Sequence, residues 1–311
     1  MLVGRAELAW AAGFFDGEGT TIARGYAARP GYRQLSITVP QACREGVPPV
    51  LLRFQRAMLG MGHITGPEDD GMYVLRFGAR EEARLVLELL WPYLGRVKRA
   101  QATRALSLVD LQYSSGSVRA LHARKQRPQW EVFGECSPAE TELAWAAGFL
   151  DAEGCFGLNR GNQRARGPVW YRIRCSADQH GEVGIVPEVL IRLQRALGGI
   201  GRSERHGSPD DYKWCVEGTR QVERVIELTG RWLGAEKREE ARLTLARFAS
   251  QIRLKGNATH CVRGHLYTGT ALKGGRMRRI CKACARITDR ARRAARGIAP
   301  RRFKDPSRRY T

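Results

Sequence analysis

Two stretches decide how this chain reads: Ala11-Ala12-Gly13-Phe14-Phe15-Asp16-Gly17-Glu18-Gly19 and Ala146-Ala147-Gly148-Phe149-Leu150-Asp151-Ala152-Glu153-Gly154. With Ala9 in front, Ala9, Ala12, Gly13 and Asp16 fall at i, i+3, i+4 and i+7 of a helix. One helix face therefore carries almost no bulk, and Ala144, Ala147, Gly148 and Asp151 repeat it. Two such faces can bring helix backbones unusually close, as small-residue helix pairs do. Gly19 and Gly154 are expected to end the helices in the left-handed conformation. If the helices pair about a pseudo-twofold axis, Glu18 and Glu153 meet at their ends. Facing carboxylates repel, so a divalent cation of the Mg²⁺ type is their natural partner. Paired acids around such ions suit phosphodiester hydrolysis. One copy alone reads as a Gly/Ala-rich helix interface with solvated acids; two copies that both keep acid, small face and closing glycine favour a site.

The stretches belong to a longer repeat. Glu7 to Phe14 recurs as Glu142 to Phe149, an offset of 135. Leu52-Arg53-Phe54-Gln55-Arg56-Ala57 is echoed by Ile191-Arg192-Leu193-Gln194-Arg195-Ala196 at offset 139, which then holds for Tyr73 and Tyr212, Leu94-Gly95 and Leu233-Gly234, and Lys98 and Lys237. Each copy predicts the order α-β-β-α-β-β-α-α. Helices are expected at 48–59 and 187–197, 79–91 and 219–229, and 95–113 and 235–252. Strands are expected at Thr20–Arg24 and Phe156–Arg160, and at 62–65, 72–77 and 211–217. A further strand over Tyr32–Val39 shows period two: Leu35, Ile37 and Val39 lie on one face, Gln34, Ser36 and Thr38 on the other. Tyr171, Ile173 and Cys175 alternate likewise with Arg172, Arg174 and Ser176. An antiparallel sheet with helices on one face leaves its other face free. The expected organisation is repeat one at 1–113, a polar, basic linker at 114–134, repeat two at 135–253, a zinc-binding module at 254–299 and a basic tail at 300–311.

Residues 6–253 resemble the LAGLIDADG homing endonucleases, the motif being the nine-residue stretches with the acid in the penultimate position. The resemblance implies a pseudosymmetric, duplicated αββαββα fold of α+β class whose sheets form a saddle over DNA. It implies a metal-dependent enzyme that cuts double-stranded DNA, with Glu18 and Glu153 and the carbonyls of Gly17 and Ala152 holding catalytic Mg²⁺. By position it also implies polar and basic helpers: Gln41 and Gln179 late in the second strand, and Lys98 and Lys237 near the attacking water. A lysine there would stabilise developing phosphate charge; a solvated helix-start lysine is the plain alternative. Both motif acids are Glu where the archetypal motif has Asp. The free sheet faces offer Gln34, Ser36, Thr38, Arg76, Arg172, Arg174, Ser176 and Lys213 to DNA, residue types that read base edges or bind phosphate.

Net charge is +22, with 53 Lys and Arg against 31 Asp and Glu. Such a balance favours a polyanionic partner, nucleic acid first. Residues 254–311 hold 17 of the bases and two acids, Asp289 and Asp305, so the C-terminus is a cationic arm on a mildly basic body. Cys261-x3-His265 and Cys281-x2-Cys284 are separated by fifteen residues, a structural Zn²⁺ pattern resembling small treble-clef fingers, with a hairpin expected around Gly274-Gly275 and a basic helix from Ala283 to Arg296. The other five cysteines read as reduced, mostly buried thiols. No apolar run reaches the roughly 18 residues of a membrane span. No secretory leader is apparent, so a cytoplasmic protein without membrane contact is expected, and because two fused copies supply both halves of the site, a monomer. A non-catalytic DNA- or RNA-binding relative, such as a transcription regulator or intron maturase, is the competing reading; such proteins can keep the fold and lose the acids.

Overall fold

The computed structural model describes residues 2–68, 70–114, 131–160, 171–256, 261, 263, 265–273 and 276–296. Most of the expected linker, the Gly274-Gly275 turn and the basic tail lie outside the described residues. The chain divides into two compact units, Met1–Phe248 and Ala249–Thr311.

The first unit contains both repeats. Repeat one runs β1 (Leu2–Gly4), α1 (Arg5–Glu18), β2 (Thr20–Tyr26), β3 (Arg29–Ala42), α2 (Pro49–Ala57), β4 (His63–Thr65), β5 (Met72–Phe77), α3 (Arg80–Leu90) and α4 (Arg96–Ser114). Repeat two runs β6 (Glu131–Phe133), α5 (Pro138–Glu153), β7 (Gly154–Arg160), β8 (Tyr171–His180), α6 (Glu188–Ala196), β9 (Arg202–Arg205), β10 (Asp211–Glu217), α7 (Thr219–Thr229) and α8 (Ala235–Gly256), the last helix continuing beyond the first unit. The order is the one the sequence predicts, with one addition: Glu131–Phe133, expected to be linker, pairs parallel with Leu2–Gly4. Two strands of three residues carry too little periodicity to be read from sequence.

Each repeat builds one four-stranded antiparallel sheet, ordered β2-β3-β5-β4 and β7-β8-β10-β9. Alternation sets the faces. Leu35, Ile37, Val39, Leu75 and Phe77 are buried on the helix side of the first sheet, as are Ile173, Cys175, Ala177 and Trp214 in the second. Phe14, Phe15 and Phe54 stack into the first core, and Trp145 on Phe149 anchors the second. Each fully buried large apolar side chain stabilises by about 1.5–3 kcal/mol, so these rings are a main source of stability.

Local chemistry explains the boundaries. Pro49 occupies the first turn of α2, where its missing N–H costs nothing. α5 begins with a capping box: Ser137 Oγ accepts from Glu140 N at 3.2 Å and Ser137 N donates to Glu140 Oε2 at 3.0 Å. The repeated glutamine of α2 and α6 ties down the following turn: Gln55 Nε2 donates to Gly62 O and Gln194 Nε2 to Gly201 O, both at 2.9 Å. Gly62 and Gly201 have φ of +78° and +85°, which a side chain would strain.

The helix ends correct one expectation. Gly19 and Gly154 are extended, with φ of −72° and −73°, not left-handed. Glycine is needed for space instead. A Cβ on Gly19 would stand 2.1 Å from the Phe15 ring, and one on Gly154 2.3 Å from Leu150 O. The chain turns directly from helix into β2 or β7, so the helix end and the first strand residue crowd each other.

The second unit contains an antiparallel hairpin, β11 (Gly269–Lys273) with β12 (Arg276–Ile280), followed by α9 (Lys282–Ala294). Among the described residues no helix is long and apolar enough to cross a membrane.

Candidate active site and candidate zinc centre

The two motif helices, α1 and α5, form the interface between the repeats. Their approach is limited only by backbone. A Cβ on Gly13 would lie 1.9 Å from Trp145 O, and one on Gly148 1.9 Å from Trp10 O. The small-residue faces read from sequence thus meet each other, and both helices are buried on all sides from Leu8 to Asp16 and from Ala144 to Asp151.

Around this contact lies a crossed network that appears twice. Trp10 Nε1 donates to Asp151 Oδ2 at 2.7 Å, and Trp145 Nε1 to Asp16 Oδ2 at 2.8 Å. Each aspartate also accepts, through both oxygens, from the backbone N–H before its own repeat's last helix: Gly95 N at 3.0 and 2.8 Å, Gly234 N at 3.0 and 2.7 Å. Arg53 pairs with Glu7, stacks 3.8 Å over Trp10 and donates to Trp232 O at 2.6 Å. Arg192 does the same with Glu142, Trp145 at 4.0 Å and Tyr93 O at 2.7 Å. Burial pushes both Asp16 and Asp151 up to about 6, opposed by the tryptophan, backbone and arginine donors. These contacts tie the ends of α1 and α5 to the residues just before α4 and α8. Sequence reasoning placed Asp16 only on a helix face; the recurrence of Trp10, Arg53 and Gly95 in the second copy was the signal for the rest.

The helices end side by side. A Cβ on Gly17 would meet Ala152 Cβ at 2.6 Å and lie 3.5 Å from Glu153 Oε1. Glu18 is pushed up to about 7, first by burial and then by the Glu153 charge, with Lys98 pulling the other way. Glu153 is also raised by burial, against the pull of Gln179 and Lys98. Burial is the first cause at both carboxylates and the Glu153 charge the second at Glu18, and their hard oxygen donors fit a divalent cation of the Mg²⁺ type. Lys98 Nζ donates to Gly19 O and Lys237 Nζ to Gly154 O, both at 2.5 Å. The lysines are half-buried beside the motif helix ends rather than solvated. The glutamines are not equivalent: Gln179 Nε2 donates to Glu153 Oε1 at 3.2 Å, whereas Gln41 Oε1 is buried without a hydrogen-bond partner.

The other residues expected to contact DNA lie on the strands of the two sheets. On the first sheet Thr38 stands between Thr20 and Arg76, Ser36 beside Ile22, and Gln34 beside Arg24. Arg76 bonds Thr65 and Glu68 at 3.3 Å, and Gln34 bonds Gly78 O. His63 pairs opposite Arg76 and is exposed; Ile22 on the same face is 47% exposed. Sequence reasoning missed both, although the alternation of Thr20, Ile22 and Arg24 carried the second. On the second sheet Arg172 pairs with Glu217 at 3.0 Å, Lys213 with Asp178 at 3.0 Å, and Arg174 is half-buried. Ser176 corrects an expectation: it is 5% exposed, held in the central strand between Cys155 and Cys215, and too covered to reach a base edge as it stands. The five scattered cysteines also differ from expectation, since only Cys175 and Cys215 are buried and Cys155 is exposed.

In the second unit Cys261, His265, Cys281 and Cys284 converge, their ligand atoms all within 4.8 Å of one another. Cys261 Sγ lies 3.6 Å from Cys284 Sγ and 3.6 Å from His265 Nδ1, which is 3.3 Å from Cys284 Sγ. A tetrahedral zinc with sulfur at about 2.3 Å would space its ligands by roughly 3.5–3.8 Å, so the donor set fits that ion. Backbone N–H groups of Arg263 and Cys284 point at Cys261 Sγ and Cys281 Sγ, at 3.4 and 3.3 Å, as suits thiolates.

No protein-family model matches the sequence and no curated protein matches it. Solved structures do. The I-LtrWI LAGLIDADG homing endonuclease bound to target DNA aligns over 84% of this chain and 94% of its own, with TM-score 0.60 and 15% identity. The LAGLIDADG meganuclease I-AabMI bound to uncleaved DNA aligns over 83% and 94%, with TM-score 0.58 and 18% identity. The LAGLIDADG meganuclease I-CpaMI bound to uncleaved DNA aligns over 80% and 94%, with TM-score 0.58 and 12% identity. At these identities the likeness establishes the fold: this chain has the two-repeat LAGLIDADG fold.

Proposed function

We propose that this LAGLIDADG-fold chain is a site-specific endonuclease that hydrolyses both strands of double-stranded DNA with divalent metal. The observation that carries the reading is the pairing of Glu18 and Glu153 at abutting helix ends, each with a lysine at the next carbonyl. Glu18 and Glu153, with the carbonyls of Gly17 and Ala152, would hold Mg²⁺, which when bound activates water and offsets charge on the phosphate. Lys98 and Lys237 stabilise the charge that builds as water oxygen bonds phosphorus and the P–O bond to the leaving oxygen breaks. Gln179 orients Glu153. The expected partners of Gln34, Ser36, Thr38, Arg76, Arg172, Arg174 and Lys213 are base edges and phosphates of a pseudo-palindromic duplex, bound by one monomer because both halves of the site lie in one chain.

The test is incubation of the full-length protein with Mg²⁺ and a randomised duplex library, followed by selection of cut molecules. Recovery of one long, partly symmetric site is expected. Specific binding without cutting would instead identify a non-catalytic binding protein.

The cysteine–histidine cluster is proposed to hold one structural Zn²⁺, because a short, highly charged segment cannot bury a core large enough to fold alone. Metal analysis of purified protein should find one zinc per chain. Deleting residues 254–311 should weaken binding broadly and flatten its salt dependence, by about 0.9 in log–log slope for each phosphate that the arm neutralises. A change in base preference instead would mean that the arm reads sequence.

A further inference from the structure

The two lysines that flank the paired carboxylates are held differently. Lys237 Nζ bonds Gly154 O at 2.5 Å and also Glu240 Oε2 at 2.8 Å. Glu240 is itself fixed, because its Oε1 accepts from Phe156 N at 2.7 Å. It is therefore built into the start of β7 and holds Lys237 from one helical turn away. In repeat one the residue in the position of Glu240 is Gln101, which is neutral and exposed. Among the described residues Lys98 bonds Gly19 O and makes no ion pair within 4 Å. The charges of Asp16, Glu153 and Glu18 all act on Lys98, and none of the three lies within ion-pair distance of it.

A carboxylate fixed beside a lysine adds a negative field that cancels part of what the lysine presents to a phosphate. Part of the Lys237 field already falls on a fixed carboxylate in a partly buried place, where such pairs are weakly screened. We infer that the two halves of this site are unequal, that Glu240 is a positioning residue restraining Lys237, and that the DNA strand served by Lys98 is cut first and faster. The inference rests on the endonuclease reading and adds to it the order of the two cuts. Glu240→Gln is the informative variant: it has the same shape, keeps an oxygen for Phe156 N–H and removes the charge. Gln101→Glu is its reciprocal.

Full-length wild type and both variants are compared on a duplex of the selected target with a different fluorophore on each strand. The wild type should nick one strand about tenfold faster than the other. Glu240→Gln should speed the slower strand several-fold and leave the faster one unchanged, while Gln101→Glu slows the faster strand. A loss of structural support would slow cutting or lower stability without raising the rate at one strand, and would overturn the inference. A second reading needs no cleavage. In EDTA, with the uncut duplex, Glu240→Gln should steepen the log–log salt dependence of binding by about 0.9, the increment for one more neutralised phosphate. Equal nicking of both strands by the wild type, a Glu240→Gln effect spread over both strands, or an unchanged salt slope would each overturn the inference and leave the endonuclease standing. No cutting by any of the three proteins would bring down both.

Discussion

Replacing Glu18 or Glu153 by Gln should slow double-strand cleavage by at least about 10³-fold while leaving specific DNA binding in place, because each substitution removes a metal-binding charge and little shape. The same change should make the metal-free protein more stable at alkaline pH. Glu18 is pushed from its ordinary 4.5 up to about 7, first by burial and then by Glu153. Its folded form holds a proton more tightly than its unfolded form. The stabilising contribution is thus complete below about 4.5 and lost as pH rises through about 7. At pH 8 the wild type holds an unfavourable charge that Glu18→Gln lacks. Discounted for the part of the side chain in water, this amounts to about 1–2 kcal/mol, or a few degrees in Tm. The gap should close toward pH 4.5. Adding Mg²⁺ at pH 8 should raise the Tm of the wild type and not that of the variant. A metal-free Tm for Glu18→Gln no higher than wild type at pH 8, or full cleavage by either variant, would show that these carboxylates do not face each other as a metal site.

A single methyl group at the centre of the interface should have the largest effect on stability. In Gly148→Ala the new Cβ would stand 1.9 Å from Trp10 O, and in Gly13→Ala 1.9 Å from Trp145 O. The obstacles are backbone atoms in the middle of helices and cannot rotate away. The helices must separate, and the bonds from Trp10 to Asp151 and from Trp145 to Asp16 stretch with them. A loss above about 4 kcal/mol is expected, among the largest for a point substitution, which for a unit of this size lowers Tm by roughly 10 °C or more. Gly157→Ala is the control, since a Cβ there meets nothing nearer than 3.9 Å. Thermal unfolding of the three variants decides the matter: similar Tm values for Gly148→Ala and Gly157→Ala would mean that the helices do not meet at these glycines.

What is legible in the sequence follows from which forces act locally. The repeat, the order of elements and the paired motif helices are visible because hydrophobic period and small-residue spacing are written along the chain. Ile37, Val39 and Cys175 are buried as their alternation requires. Functions that join distant residues are less visible. Asp16 looks like any polar residue at a helix end until Trp145, 129 positions away, is seen to donate to it. The closing glycines suggest the commonest use of glycine at a helix end, whereas Phe15 and Leu150 demand it for clearance. Ser176 obeys its period of two and is still covered, because alternation sets a face and does not say what else lies on it. Lys98 and Lys237 match in sequence, and it is the Glu240 partner of Lys237, matched by a neutral Gln101, that the repeat alone does not flag.

The crossed network also bears on ancestry. Every bond that joins the two repeats there, from tryptophan to aspartate and from arginine to the other repeat's carbonyl, occurs once in each direction. That reciprocity is the rule of a twofold homodimer, in which one surface must complement itself. Each repeat carries both partners of each bond and finds the matching ones on the other copy. In such a dimer any mutation appears twice, so a change that helps one side and harms the other is lost. Two copies in one chain are free of that restriction. Ala152 could then stand opposite Gly17, and Glu240 could arise without a counterpart at Gln101. The interface is symmetric where both helices need it, and the residues around it differ between the two repeats.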